Sequence, residues 1–234
     1  IMTIEEFSNE FDVLLNSYIV NLPLGTDKTI RELDEYEKSV LLTAAQEAVV
    51  NDLYNGRLTG EGFESTEEQR RYLENLIKTV EPEVVDTELP HISEYSVFYK
   101  TPEDLWYITY EVATLKDESI NCGVDIAVEV VPVKQDEYHK IKNNPFRGAS
   151  DKRVLRVDTG SSILEIVSKY KIIRYFIKYI SKPKPIILVD ITNDGLSINN
   201  ETKPMTCMLN TALHRLILER AVSIAIKRLP QGNV

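Results

Sequence analysis

The apolar residues of this 234-residue chain change their spacing twice, and that change limits the fold more than any other feature. They begin at helical spacing, pass to the short alternating runs of strands, and return to helical spacing at the end. Thr3 and Glu6 stand at capping-box spacing before Phe7, Phe11, Leu14, Leu15 and Tyr18, which share one helical stripe. "NLPLG" interrupts that helix. A second is predicted from near Thr29, with Glu32 three residues on, through Leu33, Tyr36, Val40, Leu41, Ala44, Ala48 and Val49 to Tyr54, where "NG" stops it. Ser65 and Glu68 box a third, with Tyr72, Leu73, Leu76 and Ile77 apolar, and Pro82 ends it.

The middle of the chain reads as strands. "YSVFYKTPEDLWYITYEVATL" holds two β-rich runs separated by Thr101–Asp104 and predicts a hairpin. "VDIAVEVVPV" is a third strand, and "QDEYHKIKNNP" a short helix closed by Pro145 and Gly148. "RVLRVD" and "SILEIVSK" follow as strands or a strand and a turn. "KIIRYFIKYI" fits helix or strand, with its aromatic and β-branched residues favouring strand, and "KPKPIILVDI" enters another strand behind two prolines. Asn210 or Thr211 then caps "TALHRLILERAVSIAIKR", whose Leu213, Leu216, Ile217, Ala221, Ile224 and Ala225 form a stripe. Helices, then strands, then one helix is the order of an α+β fold: N-terminal helices, a central mostly antiparallel β region and a C-terminal amphipathic helix. The expected organisation is a single structural subunit over 1–234, with a helical part at 1–82, a β-rich part at 83–205, and the closing helix and tail at 206–234.

Charge is divided unevenly along the sequence. Residues 1–133 carry 28 Asp/Glu against 9 Lys/Arg, a net of −19, while residues 134–234 carry 9 against 18, a net of +9. The split reads either as solvated faces without a role or as a head-to-tail contact, the acidic half of one copy meeting the basic half of the next, the kind that closes into rings. No apolar run approaches the length of a membrane helix, so no membrane association is expected. "IMTIEEFSNEFD" lacks the basic and apolar regions of a secretory signal. Cys122 and Cys207 stand alone, without metal spacing or a disulfide framework, and suit a reducing compartment.

Sites for chemistry are sparse. His91, His139 and His214 are widely separated, and "HRLILE" lacks the second His and the Glu of HExxH. Asp136 and His139 can share a helical face but have no nucleophile or third ligand beside them. "TGEGFES" has glycines without a following GK[ST], and its acids would repel phosphate. "DTGSS" occurs once, where a turn between strands accounts for it, and Asp190 before "NDG" reads as a turn initiator. No catalytic set, metal site or cofactor is expected. A nucleic-acid reading rests on segment 169–184, where Lys169, Lys171, Arg174, Lys178, Lys182 and Lys184 interleave with Tyr170, Tyr175, Phe176 and Tyr179. On a strand, those aromatics pack inward and the lysines point out.

The densest polar stretch, "VPVKQDEYHKIKNNPFRGASDKRVLRVD", balances its charges and looks poor as an active site. Its distinctive part is "NNPFRG", a Pro-fixed, Gly-terminated corner with an aromatic and an arginine at the tip. Such residues are enriched where proteins grip proteins, which makes Tyr138, Phe146, Arg147 and Arg153 the candidate protein-interface residues. Phe146 has a second reading, as a plug folded back under its own loop.

Five stretches together resemble a virion structural protein of the crAss-like tailed bacteriophages: "TIEEFSNEFDVLLNSY", "LDEYEKSVLLTAAQEAVV", "VVPVKQDEYHKIKNNPFRG", "KPKPIILVDI" and "ALHRLILERAVSIA". They span nearly the whole chain in the same order, the third and fifth being the most specific. The terminal "LHRLILERAV" is also similar to the closing helix of head–tail adaptor proteins. The resemblance implies a non-enzymatic subunit of a homo-oligomeric ring in the portal–tail assembly, a head–tail connector or tail ring component. Its implied partners are copies of itself, in a dodecamer matching the portal, with the portal protein and neighbouring ring or tail proteins. DNA would pass nearby without specific binding. The implied location is the virion, after synthesis in the host bacterial cytoplasm. The alternative function is a nucleic-acid-binding virion protein using segment 169–184.

Overall fold

Thr3 and Glu6 form the predicted capping box: the Glu6 amide donates to the Thr3 hydroxyl at 3.2 Å, and the Thr3 amide to the Glu6 carboxylate at 2.7 Å. It opens helix α1 (Ile4–Val20), which buries Phe7, Phe11 and Leu15. The computed structural model describes residues 2–20, 33–57, 60, 63, 67–86, 90–93, 96–116, 125–160 and 162–228. They fall into two compact units, Ile1–Leu76 with Lys182–Val234, and Ile77–Ser181.

In the first unit, α2 (Glu35–Tyr54) starts later than its sequence predicts. The box that caps it joins Asp34 and Glu37, at 2.7 and 3.2 Å, and the predicted Thr29–Glu32 pair lies outside the described residues. The closing helix α5 (His214–Arg228) packs against both α1 and α2, and Phe7 meets the buried ring of His214 at 5.1 Å. Asn210 caps the 3-10 turn Thr211–Leu213 that leads into it. Ile217 and Ala221 of the predicted stripe are fully buried on α5 together with Leu218 and Val222, whereas Leu216 and Ile224 are half-buried. Full burial of each large side chain contributes about 2 kcal/mol.

α2 also buries Ser39, Thr43 and Gln46, polar groups that an apolar stripe does not predict. Their partner is the stretch expected to be a strand, "KPKPIILVDI". Among the described residues it pairs with no strand beyond the single bridge Ile187–Met205. Pro183 and Pro185 remove two ladder donors, and α2 takes the remaining groups. The Gln46 amide donates to the Lys184 carbonyl at 2.8 Å, the Thr43 hydroxyl accepts from the Ile186 amide at 3.1 Å, and the Ser39 hydroxyl accepts from the Leu188 amide at 2.9 Å. The segment is extended and buried, with Ile186 and Ile187 fully covered, but it is not a sheet strand.

The third predicted helix is cut short. α3 (Glu67–Tyr72) gives way to a 3-10 turn at Glu74–Leu76, and Ile77–Val80 becomes strand β1. Ser65, its expected cap, lies outside the described residues. The second unit continues with β2 (Glu83–Val84), β3 (Ser96–Lys100), β4 (Leu105–Lys116), β5 (Ile126–Val133), α4 (Gln135–Ile141), β6 (Arg153–Gly160), β7 (Ile163–Val167) and β8 (Lys171–Ser181). These strands form one sheet in the order β1-β8-β4-β5-β6-β7-β3-β2. Every pairing is antiparallel except β5 with β6, which are parallel because the chain crosses between them through α4.

The predicted hairpin is not formed. β3 and β4 are both strands, but β3 pairs with β7 and β4 with β5 and β8. The connector is held away: the Thr101 amide and hydroxyl both donate to the Ser162 carbonyl, at 2.8 and 3.1 Å. The fold is α+β as expected, with a mixed central sheet.

The charge asymmetry of the sequence does not survive folding. The first unit joins the acidic helices to the basic end of the chain and holds 20 Asp/Glu against 13 Lys/Arg, a net of −7. The second holds 17 against 14, a net of −3. Lys182 bonds Glu47 at 3.1 Å and Arg220 bonds Asp52 at 2.9 Å, pairing the two sequence halves within one unit. The halves of the sequence are therefore not halves of the molecule.

Candidate functional site

The corner that the sequence singles out is built on α4. Gln135 opens that helix without a side-chain cap on Lys134, and Tyr138 and Ile141 face inward. Tyr138, 5% exposed, packs with Ile141, Ala149, Leu155, Val157 and Val167 in a small core of its own. Burial raises its hydroxyl pKa above the usual range, with a smaller contribution from the Glu165 carboxylate. Tyr138 therefore anchors the corner from beneath.

Asn144 makes the bend. Its side-chain oxygen accepts from the amides of Phe146 at 2.9 Å and Arg147 at 3.2 Å, and its carbonyl accepts from the Gly148 amide at 2.7 Å. A Cβ on Gly148 would stand 2.8 Å from the Asn144 carbonyl oxygen and 2.9 Å from that of Lys142, so only glycine closes the turn unshifted. Behind it the Arg153 guanidinium donates to the Phe146 carbonyl at 2.7 Å and lies 3.8 Å from Glu129.

The tip is left outward. Phe146 is 85% exposed, the most exposed large hydrophobic side chain among the described residues, so it is no plug under its loop. Arg147 is exposed beside it. Of the four residues picked from sequence, Phe146 and Arg147 present the surface, while Arg153 and Tyr138 hold its shape.

The residues considered for chemistry are dispersed. Asp136 and His139 are exposed on α4. Asp158 lies 3.1 Å from Arg156, and Asp190 accepts from the Thr192 amide at 2.9 Å as a turn initiator. Among the described residues no three His, Cys, Asp or Glu side chains are placed to hold a metal ion. Cys207 is buried, with its thiol 3.2 Å from the Gln46 side-chain oxygen and its pKa pushed up to about 11 by burial. Such a thiol is inert. Cys122 lies outside the described residues. No helix among the described residues is long and apolar enough to cross a membrane.

Segment 169–184 divides by strand alternation. Tyr175 and Tyr179 point into the core, where their hydroxyls donate to Glu111 at 2.8 Å and Asp104 at 3.0 Å. Arg174 pairs with Glu81 and Lys182 with Glu47. Two of the four rings that a single-strand reader would stack on are thus withdrawn, while Tyr170 and Phe176 stay half-exposed. Lys169 and Lys171 stay outside, and the fold adds to them Lys116, which the sequence pattern did not group with them. Lys116 at the end of β4 stands directly opposite Lys171 at the start of β8, and Lys169 lies two residues before it. All three line a recess of about 550 Å³ whose other walls include Val84, Val97, Tyr99, Tyr170, Ile172 and Ile173.

The buried polar pair of this unit also escaped the sequence reading. Glu111 and Arg156 face each other almost fully covered, with Tyr175 completing the set. Burial pushes the Glu111 carboxyl up, against the pull of Arg156 and the Tyr175 hydroxyl.

Comparison with known proteins adds an independent line. A family profile described as "Phage tail ring protein 3/4" matches residues 2–232. Ring protein 3 of Bacteroides phage crAss001 is 50% identical over 227 residues, covering 96% of this chain and 95% of that protein. Ring protein 4/5 of the same phage is 32% identical over 244 residues, covering 100% of this chain and 95% of the relative.

Proposed function

We propose, since the chain belongs to the phage tail ring protein 3/4 family, that it is a non-enzymatic subunit of a homo-oligomeric ring in the portal–tail assembly of a crAss-like phage. Phage tail ring membership is the premise; portal adjacency, a dodecameric copy number and a central path for DNA are the reading built on it. In this reading the head–tail connector stacks the ring against the portal protein or a neighbouring ring, and DNA passes without specific binding. A net charge of −10 supports that last point, since a negative ring does not retain phosphates.

The observation that carries the reading at residue level is the Asn144–Gly148 corner. It is held rigid by Asn144, Gly148 and Arg153 while Phe146 and Arg147 remain uncovered. A preorganised aromatic with an arginine beside it is the usual anchor of a protein contact, because little entropy is lost when it docks. We assign Phe146 and Arg147 to contact with an adjoining tail protein, positioned by Tyr138 and Arg153.

Expression of the chain with and without the portal protein tests this. Light scattering and electron micrographs should show closed rings, and labelled protein should appear at the portal vertex of particles. Persistent monomers that bind neither portal nor tail proteins would overturn the reading.

A further inference from the structure

The recess between β3 and the start of β8 has a combination that a solvated face does not need. Its rim is cationic, with Lys116, Lys169 and Lys171 all exposed, and none of the three has an acidic partner among the described residues. Lys116 and Lys171 are direct cross-strand neighbours, an arrangement of like charges that destabilises a sheet. The floor is apolar, from Val97, Tyr99 and Ile172, and Val84 and Ile173 stand 67% and 40% exposed at its edge. Phosphate alone would have no use for that floor. A segment bringing carboxylates and apolar side chains together would use both.

The chain itself owns such a segment. On α1, Glu5 and Glu6 are exposed and Glu10 is half-buried, while Val13, Tyr18 and Val20 are 68%, 51% and 70% exposed. Glu6, Val13 and Val20 recur at seven-residue spacing and so share one outer stripe of the helix. Val13 and Val20 are two of the three most exposed large hydrophobic side chains described, gathered on one acidic helix.

We propose that the lysine-rimmed recess of one copy receives the outer face of α1 from a second copy. Carboxylates at the N-terminal end of α1 neutralise the lysines, and Val13 and Val20 cover the apolar floor. The two surfaces differ, so the contact is heterologous and repeats from copy to copy, as a ring requires. This deepens the ring reading and rests on it. The cross-strand lysine repulsion is then relieved on assembly, and the contact weakens with salt.

A charge-swap cycle on the full chain tests it. Self-association is measured by light scattering and sedimentation at low and high salt. Lys169→Glu with Lys171→Glu should weaken the association constant by roughly tenfold or more, and Glu5→Lys with Glu6→Lys should do the same. Combining all four should restore it to within about threefold of the original. Lys171→Glu alone should leave the isolated subunit's thermal midpoint unchanged or raised, because it replaces a like-charge pair by an opposite one; Lys171→Met serves as the neutral control.

Loss of association without rescue in the fourfold variant overturns the pairing and means that a face of the second copy other than α1 fills the recess. Unchanged association in every variant overturns it as a contact while leaving the ring reading intact. A wild-type chain that stays monomeric at every concentration removes the ring reading and this contact together.

Discussion

Tyr99 on β3 and Tyr175 on β8 meet with ring centroids 4.9 Å apart, although five places separate their strands in the sheet order. A flat sheet would hold them some 24 Å apart at the usual spacing between strands. The sheet therefore curls until its inner face closes on itself, and both tyrosines, 4% and 2% exposed, sit among Ala113, Val130, Ile166 and Ile177 in that core.

Alkaline pH should open this core. Burial pushes the Tyr99 hydroxyl up to about 12 and raises that of Tyr175 further, with Glu111 adding to the second. Both rings stay neutral while folded but ionise near 10 once unfolded, so their contribution is complete below about pH 10 and is lost as pH rises through 12 and above. Tyrosinate absorbance and far-UV dichroism followed together should change in one cooperative step. Tyr99→Phe should make stability less dependent on pH over that range.

Removing one partner of the Glu111–Arg156 pair should cost more than removing both. Arg156→Met leaves a covered carboxylate without its counter-charge, a loss of about 3–5 kcal/mol. Glu111→Gln with Arg156→Met should recover much of it, as read from urea unfolding midpoints. Equal losses for the single and double variants would show that the pairing does not matter.

The hydroxyls of α2 should prove structural. Ser39→Ala leaves the Leu188 amide without an acceptor, and Thr43→Val does the same to Ile186. Each should cost about 1–3 kcal/mol in urea unfolding. Thr43→Ser, which keeps the oxygen, should lose far less than Thr43→Val.

At the corner, stability and assembly should separate. Phe146→Ala should change the unfolding free energy by no more than about 0.5 kcal/mol, since the ring is already in water, yet reduce incorporation into particles. Gly148→Ala should reduce stability by about 1–3 kcal/mol, because its methyl meets three carbonyl oxygens at 2.8–3.1 Å. Assembly should fall with it.

Much of this was legible in the sequence because it depends on near neighbours. The Thr3–Glu6 box, the Asn210 cap, the alternation that buries Tyr175 and Tyr179 while Lys178 faces out, and the Pro–Gly corner at 145–148 follow from residues within a few positions of one another. Local sterics and period decide such features. The exposure of Phe146 did not follow in the same way, since either position suits an aromatic beside a proline.

Partner choice was decided only in three dimensions. The run at 96–115 specifies two strands, but not that β3 would leave β4 for β7. "KPKPIILVDI" has the composition of a strand, and its hydrogen bonds went to the side chains of a helix some 140 residues earlier. The acidic and basic halves of the sequence partly offset each other within one unit, and Lys116 and Lys171 become neighbours only through sheet register. The physical reason is common to all four: backbone propensity is a property of a few adjacent residues, whereas strand pairing, charge neutralisation and burial are set by whichever distant groups the chain brings within a hydrogen bond's reach.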